Sequence, residues 1–311
     1  MNRGNYRSWI FESDGAKKSF EKSLFETCER GGWKLHAYCV MGNHFHLALE
    51  TPEPNLSEGM RLLQSVFSLR FNKFRQEKGR IFQGRFKSVV IEDMERLGWL
   101  CHYIHLNPVR AGVCDIEGLK SLDCCSYRYL WDKRERPGFL SFEACLESAG
   151  KLRDATGGRR KYSEYLEWLA ADEPRQKAML FDRMSKGWAV GTKEFKTALL
   201  EDEKSIKACL ELGRDAVREI REALWESKIE RCIEALGSIA EEKRGARKSE
   251  DWKVAVAGLL KQGCLCPNGW LCERLDMGTA SSVSRYVGEM LGGKRSEALS
   301  QYRELVAKVG D

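Results

Sequence analysis

WKLHAYCVMGNHFHLALE, residues 33–50, decides how this chain reads. Trp33 to Val40 has the length and composition of a strand, Met41-Gly42-Asn43 is a short turn, and His44 to Glu50 is its hairpin partner. Side chains alternate along a strand, so His44 and His46 project from one face while Phe45 points the other way. Two ligands of one metal ion need that geometry. An isolated His-x-His is more often ordinary core or surface polarity, so its neighbours decide.

Working outward, Ser19 to Arg30 reads as an amphipathic helix stopped by Gly31-Gly32. Leu56 to Lys78 reads as a second helix, with Met60, Leu63, Val66, Phe67, Phe71 and Phe74 as its apolar, core-facing stripe. Phe86 to Ile91 is a candidate strand. Glu95 to Leu106 is a further helix, ended by Asn107-Pro108 because the residue before proline disfavours helical backbone. Tyr103 and Asn107, four apart, share a face at its C-terminal end. All five histidines fall between His36 and His105, with His102 and His105 flanking Tyr103.

A divalent ion held by two imidazoles and an amide oxygen keeps open positions for a phosphate oxygen and acts there as a Lewis acid. A tyrosine phenol attacking that phosphate would form a phosphotyrosine and release a 3′-hydroxyl. Asn107 is placed to be the third ligand, or is only the residue that ends a helix before proline.

The 311 residues suffice for two domains, or one with an appended module, and 42% hydrophobic with 32% charged residues is a globular profile. The net charge of +6 permits a nucleic-acid partner without demanding one. No run is long and apolar enough for a membrane helix, and the first residues lack a leader-like apolar core. The reading is cytoplasmic, nucleoid-associated when bound to DNA. The twelve cysteines, Cys28, Cys101, Cys145, Cys209 and Cys232 among them, read as reduced thiols, mostly buried. Cys264, Cys266 and Cys272 lack the second pair that a zinc site needs.

Charge clusters locally. From Arg61 to Lys87 stand eight cations (Arg61, Arg70, Lys73, Arg75, Lys78, Arg80, Arg85, Lys87) against one acid, Glu77. Arg80, Arg85 and Lys87, outside the helix, are read as DNA contacts, since cations beside aromatic residues suit single-stranded DNA. Between about Leu130 and Lys248 the chain is helical and charge-rich, with 157–161 and 187–191 as loops. From Trp252 onward come a helix, a turn at 264–269, a short helix Trp270 to Leu275, the turn Asp276-Met277-Gly278, and a last helix Thr279 to Met290. This describes a helix-turn-helix, with Ser281, Ser282, Ser284 and Arg285 facing a groove or phosphates.

Three motifs together are specific: MGNHFHLALE, then Phe82-Gln83-Gly84-Arg85-Phe86-Lys87, then Tyr103-Ile104-His105-Leu106-Asn107-Pro108-Val109-Arg110-Ala111-Gly112. In order and spacing they resemble the REP-associated tyrosine transposases, single-tyrosine HUH nucleases within the HUH (IS200-like) transposase superfamily. Cys125-Ser126-Tyr127-Arg128 resembles a segment that often follows, and Trp188 to Phe195 resembles the long-form members. The resemblance covers residues 2 to 135.

It implies an α+β fold, a ferredoxin-like antiparallel sheet with the histidines on a central strand and the tyrosine on a helix. It implies Mg²⁺ or Mn²⁺ on His44 and His46, Asn107 as third ligand, Tyr103 as nucleophile and Arg110 as a DNA contact. Its substrate would be hairpin-forming single-stranded DNA, and a homodimer is allowed for. The expected organisation is 1–135 HUH domain, 136–245 all-α extension and 246–311 helix-turn-helix module. Family members usually carry an apolar strand just before the segment Asn2-Arg3-Gly4-Asn5, so by that resemblance either the first strand is absent or the start codon was called late. A non-catalytic DNA-binding regulator and a metal-dependent nuclease using water remain the alternatives.

Overall fold

In chain order the elements that position the histidines are β1 (Asn2–Arg3), α1 (Asp14–Gly31), β2 (Lys34–Val40), β3 (His44–Glu50), α2 (Leu56–Arg75), β4 (Val90–Ile91) and α3 (Met94–Arg110). The computed structural model describes residues 1–202, 205, 214–237 and 247–309. Its main sheet is antiparallel, ordered β1-β3-β2, so the histidine strand lies in the middle. Tyr38 pairs with Leu47, Cys39 with His46 and Val40 with Phe45, while Arg3 pairs with His44 across the other edge. The edge beside β3 is formed by the two residues of β1. The 41–43 turn closes on itself through Met41 N–H to His44 O, 2.8 Å. Trp9 lies over Gly42, where any Cβ would fall 2.5 Å from the indole.

Alternation then builds two layers. Phe45 is fully buried with Phe11, Phe20, Phe67 and Phe82, its ring centroid 4.5 Å from that of Phe20 of α1 and 6.0 Å from that of Phe82. Burying such rings is the main favourable term here, about 1.5–3 kcal/mol for each. The opposite face, carrying His46, meets α3 through Tyr103.

Several expectations need correcting. α2 ends at Arg75 rather than Lys78, and Phe74, placed in the core stripe, is 77% exposed. Only Val90–Ile91 of the 86–91 run is strand. α3 does not stop at Leu106. It runs through Pro108 to Arg110, closed by Ala111 N–H to Asn107 O at 3.0 Å and by Gly112 in the left-handed region, φ 68°. A proline removes one helical N–H but does not forbid a last turn. Here Asn107 Nδ2 donates to the Tyr103 carbonyl at 3.0 Å and braces that turn.

The chain continues with α4 (Glu143–Ser148), α5 (Thr156–Ala171), α6 (Glu173–Ala178), β5 (Ala189–Val190) and α7 (Lys193–Glu201). Residues 157–161, expected as a loop, form the first turns of α5, and the 187–191 loop contains β5, which pairs in parallel with β4. Glu92 fastens this junction, accepting from the Thr192 N–H at 2.7 Å and hydroxyl at 2.9 Å. Leu140, Leu166, Phe181 and Val190 belong to the same apolar core as Phe20 and Leu35. Residues 136–190 are therefore structurally part of the N-terminal unit.

Compactness divides the chain at Glu219/Ile220, within α8 (Arg214–Leu236). The sequence boundaries at 135/136 and 245/246 are not boundaries of compactness. The second unit holds α9 (Asp251–Cys264), α10 (Asn268–Arg274), α11 (Ala280–Leu291) and α12 (Ser296–Val309). Its core gathers Ile229, Cys232, Val254, Leu271, Val283 and Leu305. α11 is not the last helix, since α12 follows it; Ala298 and Leu305 give α12 a buried stripe. Among the described residues the cysteines are free thiols, while Cys209 lies outside them. No described helix is long and apolar enough to cross a membrane.

Candidate active site

His44 and His46 leave β3 on one face with ring centroids 5.0 Å apart. The Tyr103 ring stands edge-on to His46 at 5.5 Å. Three of the four residues expected at the site therefore converge from a strand and a helix far apart in sequence. His44 Nδ1 is 2.7 Å from Asn43 Oδ1. That oxygen can only accept, so Nδ1 carries the proton and Nε2 keeps its lone pair for a ligand.

Burial holds both rings neutral. It lowers the His44 pKa to about 4, helped by the Arg3 cation, and pushes His46 well below its ordinary value. Neutral imidazoles with a free nitrogen are what a divalent cation requires. Among the described residues no three His, Cys, Asp or Glu side chains cluster as a metal site. Any ion here would rest on the two imidazoles and on ligands from outside that pair. Such a weak set fits an exchangeable ion better than a structural one. Asn107, one turn beyond Tyr103, commits its amide nitrogen to the helix and has its oxygen to offer.

Tyr103 is buried, and its ring is held on the second side by Phe181 at 5.5 Å. The Arg110 guanidinium lies 5.5 Å from the Tyr103 centroid and 5.7 Å from that of Phe181. Arg110 thus stands at the tyrosine itself, bringing a positive charge to the C-terminal end of the helix. Phe181 had no sequence signal; only the folding back of residues 136–190 delivers it.

The other histidines are elsewhere. His36 is buried on β2 with Nε2 3.4 Å from Glu50, and burial lowers its pKa. His102 and His105 are fully buried on other faces of α3, and burial lowers each to about 3.

Arg80, Arg85 and Lys87 line one groove of about 1620 Å³, together with Arg3, Arg61 and Lys186. Arg3 connects it to the site, being the register partner of His44. Arg3 Nε, Gln64 Nε2 and Ser88 Oγ are buried in its walls with no hydrogen-bond partner. All three are donor groups, and unmade donors are costly unless a ligand supplies acceptors. Arg61, Gln64, Ser68 and Asn72 recur at helical spacing on α2, a polar stripe that the spacing alone signals.

In the second unit Ser281, Ser284 and Arg285 are exposed on α11 and Ser282 is half-buried. Thr279 Oγ1 caps the helix, accepting from Ser282 N–H at 3.2 Å. Ser284 Oγ is held by Asn268 Nδ2 at 2.7 Å and Lys261 Nζ at 3.2 Å. The Arg285 guanidinium lies over Tyr286 at 5.0 Å.

Residues 1–107 match the family model described as "Transposase IS200 like". A Haemophilus influenzae protein named as a REP-associated tyrosine transposase is 30% identical over 108 residues, 31% of this chain and 61% of that protein. The chain thus spans about three-fifths of that relative's length. No solved structure matches the chain. Residues 1–107 are thus similar in sequence to the IS200-like transposases, and this is the stretch that brings the histidine pair to face a helical tyrosine.

Proposed function

We propose that the N-terminal unit cleaves and rejoins single-stranded, hairpin-forming DNA through a 5′-phosphotyrosine at Tyr103, in a ferredoxin-like HUH arrangement. The observation that carries it is the Tyr103 ring, 5.5 Å from His46, which is itself 5.0 Å from His44. The Tyr103 oxygen attacks the scissile phosphorus as the phenol proton departs. The new O–P bond replaces the P–O3′ bond, and the 3′ oxygen leaves protonated as a free hydroxyl. Attack of a 3′-hydroxyl on the same phosphorus reverses the step, releases Tyr103 and rejoins the strand. One ester replaces another, so no nucleotide cofactor is consumed.

His44, His46 and Asn107 would hold Mg²⁺ or Mn²⁺, which supplies Lewis-acid polarisation of the phosphate when bound. Asn43 orients His44 for that role, and Arg110 pairs with phosphate beside the tyrosine. Arg80, Arg85 and Lys87, with Arg3 and Arg61, track the backbone along the groove, and the unpaired donors of Gln64 and Ser88 meet phosphate or base acceptors. In the second unit α10 and α11 would act as a helix-turn-helix, with Ser281, Ser284 and Arg285 outward and Ser282 nearer the cap, to help select the site.

Incubation with end-labelled single-stranded hairpin DNA and Mn²⁺ tests this. The expected product is an adduct that survives denaturation and is absent from Tyr103→Phe. Cleavage without an adduct identifies a nuclease using water, and binding without cleavage identifies a regulator.

A further inference from the structure

His102 and His105 stand one turn apart on α3, on either side of Tyr103 in sequence, and the tyrosine chemistry uses neither. Both imidazoles point their Nδ1 at one atom, the phenol oxygen of Tyr162 on α5, at 3.0 and 2.9 Å. At the outer ends His102 Nε2 meets Ser148 Oγ of α4 at 2.8 Å, and His105 Nε2 meets Ser126 Oγ at 3.0 Å. Ser126 in turn holds strand β2, taking the Tyr38 N–H at 2.9 Å and giving its own proton to the Tyr38 carbonyl at 3.1 Å. Tyr162, His102, His105 and Ser126 are fully buried, so each proton has to be placed within the chain itself.

Counting donors fixes every direction. Ser126 spends its only proton on the Tyr38 carbonyl, so towards His105 it can only accept, and His105 Nε2 carries a proton. The neutral ring then leaves His105 Nδ1 bare, and Tyr162 O–H donates to it. The Tyr162 oxygen accepts from His102 Nδ1–H, and Ser148 O–H donates to the bare His102 Nε2. One orientation satisfies all of them, from α4 through α3 and α5 to β2. Gly98 of α3 makes room for it: a Cβ there would fall 2.1 Å from Ser148 Oγ.

We propose that Tyr162 is a positioning residue for Tyr103, its phenol oxygen clamped between His102 and His105 so that the rotation of α3 about its axis is fixed. This rests on Tyr103 being the nucleophile. Tyr103 sits between the two clamped residues, so turning α3 far enough to break either bond would swing its ring away from His46. A buried network satisfied in one arrangement only is the kind that specifies a unique geometry. It also gives the segment after residue 135 a part in the reaction: Tyr162 and Ser148 hold the helix that the first 110 residues provide.

Tyr162→Phe removes one oxygen and keeps the ring. In the full-length chain, adduct formation at saturating hairpin DNA with Mn²⁺ should slow by about tenfold or more, as displacement of a reacting group demands. The dissociation constant for the same DNA should move less than about twofold, because the groove is untouched. With only five histidines in the chain, selective ¹⁵N-histidine labelling reads the clamp directly. The native protein should show His102 protonated at Nδ1 and His105 at Nε2, and Tyr162→Phe should lose that pattern. An unchanged adduct rate in the folded variant overturns the proposal, as does a native His105 protonated at Nδ1. Should Tyr162→Phe not fold, Ser148→Ala at the half-buried outer end is expected to slow the adduct by about threefold, and an unchanged rate there overturns the proposal equally. A native chain forming no adduct at all removes the nucleophile reading, whereas the reversed tautomer removes the clamp alone.

Discussion

Two histidine pairs flank Tyr103, and they differ in what their nitrogens touch. His44 and His46 look alike in sequence to His102 and His105, and burial lowers the pKa of all four. Both nitrogens of His102 and of His105 are spent on Tyr162, Ser148 and Ser126. His44 instead has one nitrogen oriented by Asn43 and the other left to bind. Burial and pKa therefore do not separate a site from a scaffold; hydrogen-bond accounting does. The unspent pair can take a ligand, and the spent pair fixes the helix that carries the tyrosine.

Substitutions that strike the first pair or its nucleophile should have the largest effect. Tyr103→Phe should abolish the adduct, and His46→Ala should reduce its rate by roughly 10²–10⁴-fold with little change in stability, checked by single-turnover capture and thermal unfolding. Near-native capture by His46→Ala would break the distinction between the pairs.

The second pair should report in stability first. Tyr162→Phe leaves a buried N–H without an acceptor and should cost about 1–3 kcal/mol in urea unfolding. Gly98→Ala, which drives a methyl into Ser148 and the Ala144 carbonyl, should cost a comparable 1–3 kcal/mol, roughly. An unchanged urea midpoint in either variant would show that the α3–α4–α5 hydrogen bonds contribute nothing to stability.

Acid should also find the second pair. His102 and His105 titrate near 3 in the fold, against 6.5 for an ordinary ring, so only the unfolded chain takes up protons between those values. Their contribution is complete above about pH 6.5 and is lost as pH falls towards 3, at about 1.4 kcal/mol per pH unit for each ring. Buried His36 adds in the same direction. The urea midpoint should fall steadily from pH 7 to pH 5, and a rising midpoint would contradict buried, neutral rings.

The smallest expected effect is in the groove. Arg85→Ala should weaken hairpin binding modestly and lower the slope of log affinity against log salt by about 0.7, the share of one phosphate contact on a single strand. A slope unchanged in both Arg85→Ala and Arg80→Ala would move the DNA path elsewhere.

The hairpin and its facing histidines were legible because strand alternation is local and Phe45 leaves no other register. Tyr103 and Asn107 were legible through helical spacing and through the motif they share with a family. What escaped was tertiary. Nothing in the residues around 160 announces that Tyr162 belongs between two histidines sixty positions earlier, and Phe181 reaches Tyr103 only through the folding back of residues 136–190. Pro108 misled for a related reason. The local rule ends a helix there, but Asn107 and Gly112 carry it one turn further, and that turn delivers Arg110 to the tyrosine.

The most direct measurement is peptide mapping of the trapped complex. After reaction with hairpin DNA and Mn²⁺, nuclease trimming and proteolysis, one nucleotide-bearing peptide is expected, spanning residues 97–110 and modified at Tyr103. The modification on any other tyrosine, or a 5′-phosphate product with Tyr103 unmodified throughout, would contradict it.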